Sequence, residues 1–505
     1  MQRFRAAALG ALALSGCATS AIDMAPPTPS TPWAPAVDTS GVIQPGPAAT
    51  NSDSGYLLPP NLAAATLPSA PLIDPRRVYK LAALIDIAES NDPQTRIAWD
   101  QARQAALAAG IAESAYLPQI AASAVGAYQG SNGQSSALGT DVSGSNEAHG
   151  VISAVSLNWL LFDFGGRTAT ITAARQLSII SNIAFTGAHQ QLIYNVSLAF
   201  YAYAAARDRV SAAAQSLQNA GSVQAAAQAL YTRGVGTIVD ADQATQATAQ
   251  ARLALVQANG SAEDAFLTLL TAMGISPLTK LNVARPPRHP LPPGLNNPVQ
   301  AIVAAALARR PDTLSAYAAE QASLANVEAA RSAFMPKLFL SATGAYSASG
   351  LDISAIPAVG QQQGTFNLSG SHLNGTILAG IAVPLYDGGT RAAALAQAEA
   401  GADSASAKLD KARDEAARQV VAAANEVRTS VAAYDAAQAL AAAAQTSYHA
   451  AIAAYRNGVG SVTVATLAET QLLQARQSAT DTYCAALSAA ANLAFTTGAL
   501  GAAPE

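Results

Sequence analysis

Asp163 and Asp387 are the two side chains placed most like catalytic acids, each after an aromatic residue and before glycine, in LLFDFGGR (160–167) and PLYDGGTR (384–391). Two carboxyls whose environments separate their pKa values can divide general-acid and general-base work. Asp before glycine is also turn chemistry, with the carboxylate accepting backbone N–H groups. No catalytic constellation surrounds either aspartate, so turns at Asp163, Gly165 and Gly166, and at Asp387, Gly388 and Gly389, are expected, and no enzyme. Five histidines, four methionines and two cysteines are scattered, with no CxxC pair and no HExxH helix, so no metal and no cofactor is expected. Cys484, inside alanine-rich sequence, reads as a small buried thiol.

The chain has 505 residues, a formal charge of −4 and 12% charged residues, which leaves no basic footprint for nucleic acid. Half of it is apolar, yet beyond the amino terminus no stretch approaches a helical membrane span. The first residues, MQRFRAAALGALALSGCATS, carry Arg3 and Arg5 ahead of a short apolar run, as a targeting segment does. Leu14-Ser15-Gly16-Cys17 then matches a bacterial lipobox, so residues 1–16 read as a signal peptide and Cys17 as a lipidated first residue. The alternative is an ordinary cleavage near Ala11–Ala13 with Cys17 a bystander. Ala18 after the cysteine points to the outer membrane. Residues 17–75 are rich in Pro, Ser, Thr and Gly, the composition of an extended tether.

What must position the aspartates is a long unit present twice. AYLPQIAASAVGAY (115–128) returns as AFMPKLFLSATGAY (333–346), and YTRGVGTIVDADQATQATAQAR (231–252) as YRNGVGSVTVATLAETQLLQAR (455–476). The offsets, 218 and then 224, place an insertion within 129–161 and 347–385, which read as Gly/Ser/Asn-rich loops flanked by strands. Each copy, 76–274 and 298–500, orders its parts alike, with 275–297 a Pro-rich linker and 501–505 a tail. A leading helix (about 76–114, about 298–332) stops at Pro118 or Pro336, since proline cannot continue it. A β-hairpin follows (about 119–162, about 337–386), with 151–162 and 375–386 the clearest strands by period-two alternation. Next comes a helix over roughly 167–232 or 391–456. Its apolar positions Leu192, Val196, Ala199, Tyr203, Ala206, Val210 and Ala213 step by four and three, a coiled-coil seam. The glycine turns at 234–237 and 458–461 end the long helices, and a helix of about 36 residues returns to Gly274 or Gly498. Leading and returning helices, stacked end to end, span what the long helix spans.

Two hairpins make four strands, and open edges cannot persist in lipid, so strands that cross a bilayer must be pooled from several chains. Three chains would close twelve strands. Tyr128, Trp159, Phe162, Tyr346 and Tyr386 stand at the hairpin ends, where an aromatic belt would place them. The fold class is mainly α with transmembrane β: two long helical hairpins and four strands per chain.

The lipobox, the AYLP and SAFMP helix ends, the LFDFGG and LYDGG turns and the paired glycine tips together resemble the TolC-type outer-membrane factor family, over essentially all of 76–500. The resemblance implies a homotrimer with a twelve-stranded barrel in the outer membrane and a helical tunnel through the periplasm. It also implies a periplasmic adaptor and an inner-membrane pump as partners. Carried over residue by residue, the adaptor-contacting tips are Gly234, Val235, Gly236 and Thr237, with Gly458, Val459, Gly460 and Ser461. A turn needs one glycine, so two flanking a valine argue for a partner packed on the backbone. Asp240 and Asp242 follow the first tip only; Val464 and Thr466 replace them in the second. In a trimer they would form carboxylate rings at a periplasmic gate, while a helix start alone also favours carboxylates. Pro118, Asp163, Gly165, Gly166, Pro336, Asp387, Gly388 and Gly389 mark the barrel–tunnel junctions. The implied function is a passive exit duct for small molecules. A type I secretion duct is the alternative, and a pore-free coiled-coil lipoprotein the reading from another class.

Overall fold

A computed structural model describes residues 20–26, 28–46, 55–66, 71, 73–137, 140–287, 298–354 and 366–501. Cys17, the signal peptide and residues 502–505 of the tail lie outside the described residues, as do 288–297 of the linker. Two compact units are present, the first from 1–74 with 276–280, the second from 75–275 with 281–505.

In the first unit the segment expected to be an extended tether folds back on itself instead. The Trp33 indole donates to Met24 O at 3.0 Å, and Tyr56 Oη donates to Ser30 O at 3.0 Å. Val37 and Ile43 form a β-bridge around a turn in which Asp38 accepts the N–H groups of Ser40 and Val42. Those bonds hold the Asp38 carboxyl below the usual carboxylate range, with the Ser40 hydroxyl the largest cause. Proline and glycine here set tight turns that close short loops, and local hydrogen bonds replace a core.

The second unit holds the two copies. Copy one runs β1 (Val78–Tyr79), α1 (Leu81–Asn91), α2 (Pro93–Glu113), β2 (Gln119–Ala137), β3 (Thr140–Phe162), α3 (Gly166–Thr232) and α4 (Ile238–Ala272). After β4 (Asn282–Val283), copy two runs α5 (Val299–Leu307), α6 (Pro311–Ser332), β5 (Lys337–Ser354), β6 (Phe366–Ala382), α7 (Thr390–Arg456) and α8 (Val462–Thr496). The long helices have 67 residues each, about 100 Å at 1.5 Å per residue.

Each leading helix, expected to be continuous, is broken by a proline. Pro93 and Pro311 stand at the first position of α2 and α6, where the missing N–H costs nothing. Asp92 caps α2 by accepting the Gln94 N–H at 2.5 Å. The breaks receive the ends of the returning helices. Gly274 (φ +67°) lies so close that an added Cβ would stand 2.8 Å from Asp92 Cα, and Gly498 (φ +66°) would meet the Arg309 carbonyl at 3.2 Å. Arg310, buried, clamps the second break: it pairs with both Asp312 oxygens, at 2.6 and 2.9 Å, and donates to Thr496 O at 2.8 Å and Gln419 at 2.7 Å. Along α3, Arg175 bonds Glu113 of α2, His189 lies 3.5 Å from Glu89 of α1, and Gln224 bonds Thr245 of α4. Leading and returning helices thus stack end to end beside the long one. Of the seam positions, Leu192, Val196, Ala199, Ala206 and Ala213 are buried, and Tyr203 and Val210 half-buried. The linker adds a strand: β4 pairs in parallel with β1, and Arg207 of α3 donates to Val283 O at 2.7 Å.

The four long strands form one antiparallel sheet in the order β2-β3-β5-β6, leaving β2 and β6 as edges. The regions expected as glycine- and serine-rich loops are largely strand, since β2 and β3 pair from Gln119↔Asn158 to Ala137↔Thr140. Residues 138–139 and 355–365 lie outside the described residues. Conversely β6 ends at Ala382, so Val383 and Leu385 fall beyond it; Pro384 has no N–H to continue the ladder. With strands this long, Tyr128 and Tyr346 sit in mid-strand and not at the hairpin ends; each lies nine residues past the first residue of β2 or β5.

Candidate functional site

Both tips are built alike. Gly234 N–H bonds Tyr231 O at 2.9 Å and Val235 N–H bonds Leu230 O at 3.1 Å; Gly458 and Val459 repeat this on Tyr455 and Ala454. This Schellman pattern needs a left-handed residue, supplied by Gly234 (φ +74°) and Gly458 (φ +77°). The second glycine is needed as well. A Cβ on Gly236 would lie 2.9 Å from Tyr231 N, and on Gly460 3.0 Å from Tyr455 N. The turn therefore accounts for both glycines, and the expectation that the second one speaks for a partner is corrected. What the turn does not explain is the valine between them: Val235 is 74% and Val459 81% exposed.

The helices restarting after the tips are capped differently. Thr237 Oγ1 accepts the Asp240 N–H at 3.1 Å while Asp240 Oδ2 accepts from the Thr237 N–H at 3.2 Å and hydroxyl at 2.7 Å, a reciprocal capping box. Ser461 only accepts from Val464 N–H at 3.3 Å. Asp240 is thus engaged in the cap, whereas Asp242 is exposed. Beneath the tips Val223, Ala227, Ala244, Tyr448, Ile452, Tyr455, Val462 and Leu472 form one apolar cluster, which holds the two tips side by side. Burial, and then the Asp240 carboxylate, raise the Tyr455 phenol above its ordinary pKa.

At the other end, the two junctions turn strand into helix within four residues. Asp163 accepts the Arg167 N–H at 2.7 Å, and Gly165 takes φ +92° as the helix begins. A Cβ on Gly166 would lie 2.4 Å from Ser332 Oγ, so the start of α3 touches the end of α6. In the second copy Asp387 accepts from the N–H groups of Gly389 and Arg391, and Gly388 and Gly389 take φ +69° and +90°. The Arg391 side-chain bond, then desolvation opposing it, leave the Asp387 carboxyl below its ordinary value. Both aspartates accept backbone N–H groups, as turn chemistry requires. Pro118 and Pro336 immediately precede β2 and β5.

Two arginines escaped attention in the sequence. Arg167 donates to Ala115 O (3.1 Å), Leu160 O (2.5 Å) and Leu161 O (3.0 Å), and its guanidinium lies over the Tyr116 ring. It ties the end of the leading helix segment, the end of β3 and the start of α3 into one joint. Arg391 repeats part of this, pairing with Asp387 at 2.7 Å and donating to Pro384 O at 2.9 Å. The available signal was their identity 224 residues apart, Arg167 directly after its glycine pair and Arg391 one residue after its own. Among the described residues no group of His, Cys, Asp and Glu could hold a metal, and Cys484 is buried.

Known proteins place this architecture. A family model described as outer membrane efflux protein matches residues 84–275 and 302–499. Protein CyaE of Bordetella pertussis is 28% identical over 357 residues, 69% of each chain. The outer membrane efflux protein BepC of Brucella suis is 30% identical over 305 residues, 60% of each. The pyoverdine export outer membrane protein OpmQ of Pseudomonas aeruginosa is 29% identical over 268 residues, and the match spans about half of each chain, 52% of this one and 55% of OpmQ. Of solved structures, CusC aligns with a TM-score of 0.68 at 21% identity, over 86% of this chain and 99% of its own. VceC of Vibrio cholerae aligns at 0.66 and 19% identity, over 83% of this chain and 96% of its own. These similarities at low identity speak for the fold.

Proposed function

The chain belongs to the outer membrane efflux protein family, and from that premise we propose that it is the outer-membrane exit duct of a tripartite system, a passive channel for small molecules. It works as a homotrimer, with a periplasmic adaptor and an inner-membrane pump supplying direction and energy. The observation that carries this reading is the open four-stranded sheet set on two 67-residue helices. Its edge strands β2 and β6 need partners in lipid, and three copies supply them as one twelve-stranded barrel.

The aromatic residues support a membrane register. Trp159 and Phe162 stand at the helix end of β3, while Tyr128 and Tyr346 each lie nine residues up their strands. Nine residues at about 3.3 Å, tilted by about 40°, rise roughly 23 Å, close to the apolar height of such barrels. Ile120 on β2, and Leu373, Ile377 and Ile381 on β6, are exposed apolar side chains that the strand register puts on one face, suited to that band. The junctions at Pro118, Asp163, Gly165, Gly166, Pro336, Asp387, Gly388 and Gly389 then join barrel to tunnel.

At the far end Gly234–Thr237 and Gly458–Ser461 present exposed valines to the adaptor. Asp242 supplies the accessible carboxylate of a threefold gate ring, with Asp240 behind it in the cap. Lipidation at Cys17 anchors the chain to the outer membrane, which metabolic labelling with palmitate tests directly. A deletion strain scored for small-molecule sensitivity and for missing secreted proteins tests the main reading; loss of secreted protein alone would transfer it to type I secretion. Purified protein without channel openings in a planar bilayer would leave a pore-free lipoprotein. Unchanged conductance and divalent-cation block in Asp240→Ala and Asp242→Ala would remove the gate assignment.

A further inference from the structure

Glu469 is a carboxyl buried where the two hairpins meet. It lies in α8, only 7% exposed, beside Ala468 and Leu472 of the apolar cluster under the tips. Among the described residues its Oε1 has no hydrogen-bond partner; the buried Ser216 hydroxyl of α3 stands near enough to favour the ionised form but outside regular hydrogen-bond geometry. An isolated carboxylate at such a place is costly, whereas a neutral carboxyl is tolerated.

The first copy handles the corresponding place differently. There, 224 residues earlier, stand Thr245 and Gln224, hydrogen-bonded at 3.0 Å, with Thr245 also bonded to Ala241 O. Neither side chain ionises. In the second copy the same two places hold Glu469 and Tyr448, both buried and both titratable. Burial pushes the Glu469 carboxyl above its ordinary value, against Ser216 and the Arg476 charge. Burial and then the Glu469 charge raise Tyr448, against Arg456 and Arg476. On α8 itself Arg476 is engaged by Gln445 of α7, which also contacts His449. α4 brings Asp240, which acts on Tyr455, and α3 brings Ser216.

We propose that Glu469 is a proton-operated latch: protonated, it lets α8 stay packed on α3 and α7, and ionised, it loosens the tip-proximal part of the second hairpin. The packed state binds the proton more tightly than a loosened, hydrated one. Packing is therefore favoured at low pH and weakens as pH rises through the elevated value, by up to about tenfold per pH unit for one site. Loosening opens the tunnel's inner end, a consequence that rests on the duct reading; the latch itself does not.

The test is hydrogen exchange on the full-length protein from about pH 5 to about pH 8, corrected for intrinsic rates, limited to tenfold per unit by one proton. Protection over 462–475 is expected to fall across this range while that over 241–251 holds. Glu469→Gln should stay at the low-pH level throughout. Ser216→Ala, which removes a group favouring the ionised form, should move the fall to higher pH. A flat wild-type profile, or an unchanged pH response in Glu469→Gln, overturns the latch. In planar bilayers, open probability should rise with pH in the wild type and not in Glu469→Gln. A chain that never conducts overturns the duct reading alone, and exchange still decides the latch.

Discussion

Replacing Arg167 by methionine is expected to open the first strand–helix junction far more readily than the same change at Arg391 opens the second. Arg167 serves three carbonyl oxygens and lies 3.4 Å from Asp163, with side-chain exposures of 11% and 10%. Little water can reach Asp163 or the Leu160 and Leu161 carbonyls to replace it. Arg391 serves one carbonyl, and its partner Asp387 has a side chain 32% exposed. Methionine retains most of the aliphatic stem and removes only charge and donors. Stripping one partner from a buried pair costs about 3–5 kcal/mol, and the deserted carbonyls push toward the upper figure. That corresponds to roughly two to four orders of magnitude in the opening equilibrium. At Asp387 water can solvate the carboxylate, so the loss is smaller. The assay has a built-in reporter, because the Trp159 indole donates to Tyr116 O at 2.9 Å in the same joint. Trp33→Phe and Trp99→Phe leave it the sole tryptophan of three. Urea-induced unfolding followed by its fluorescence then compares both variants. Equal losses, or a larger loss at Arg391, would refute burial as the controlling factor.

Gly236→Ala and Gly460→Ala should each destabilise a tip by about 1–3 kcal/mol through overpacking against the last helical turn, read as faster amide exchange around Leu230 and Ala454. Thr237→Ala should cost about 1 kcal/mol and exceed Ser461→Ala, since only Thr237 closes a capping box; exchange at the start of α4 and α8 measures the difference. Glu415 is held at about 2 by bonds from Arg418 and then Gln419, against 4.5 ordinarily. Its depressed value means that its contribution is complete above 4.5 and lost as pH falls toward 2. Acid unfolding curves of wild type and Glu415→Gln should therefore converge across that window.

Much of the helical frame was legible in the repeat. Proline, aspartate-glycine and GVG punctuation, with four-three spacing between, placed both long helices to within a residue or two, because capping and periodicity are local properties. Pro93 and Pro311 were equally local signals, overshadowed by the alanine-rich helical pattern around them. The strands were read too short, since Gly, Ser and Asn argue for loops on propensity alone. Inside a sheet their backbone groups are satisfied by the neighbouring strand, and cross-strand pairing outweighs propensity. The second glycine of each tip was misjudged for a similar reason: the contact that demands it lies on the preceding helical turn.

By itself the sequence determined the duplicated order of elements, the places where helices must stop, and the family resemblance, all from residue types at fixed spacing. Only the tertiary structure decided which charges are paired and which are buried. Asp163 and Asp387 look interchangeable in sequence, yet one is buried against an arginine serving three carbonyls and the other is partly in water. Asp240 became a capping residue, and Glu469, one acid among the 32 carboxylate residues of the chain, became a buried carboxyl. The partners of Asp163, Asp387 and Asp240 are local, within four residues, but desolvation depends on what packs across from a residue, and for Glu469 that includes Ser216 on a helix far away in the chain.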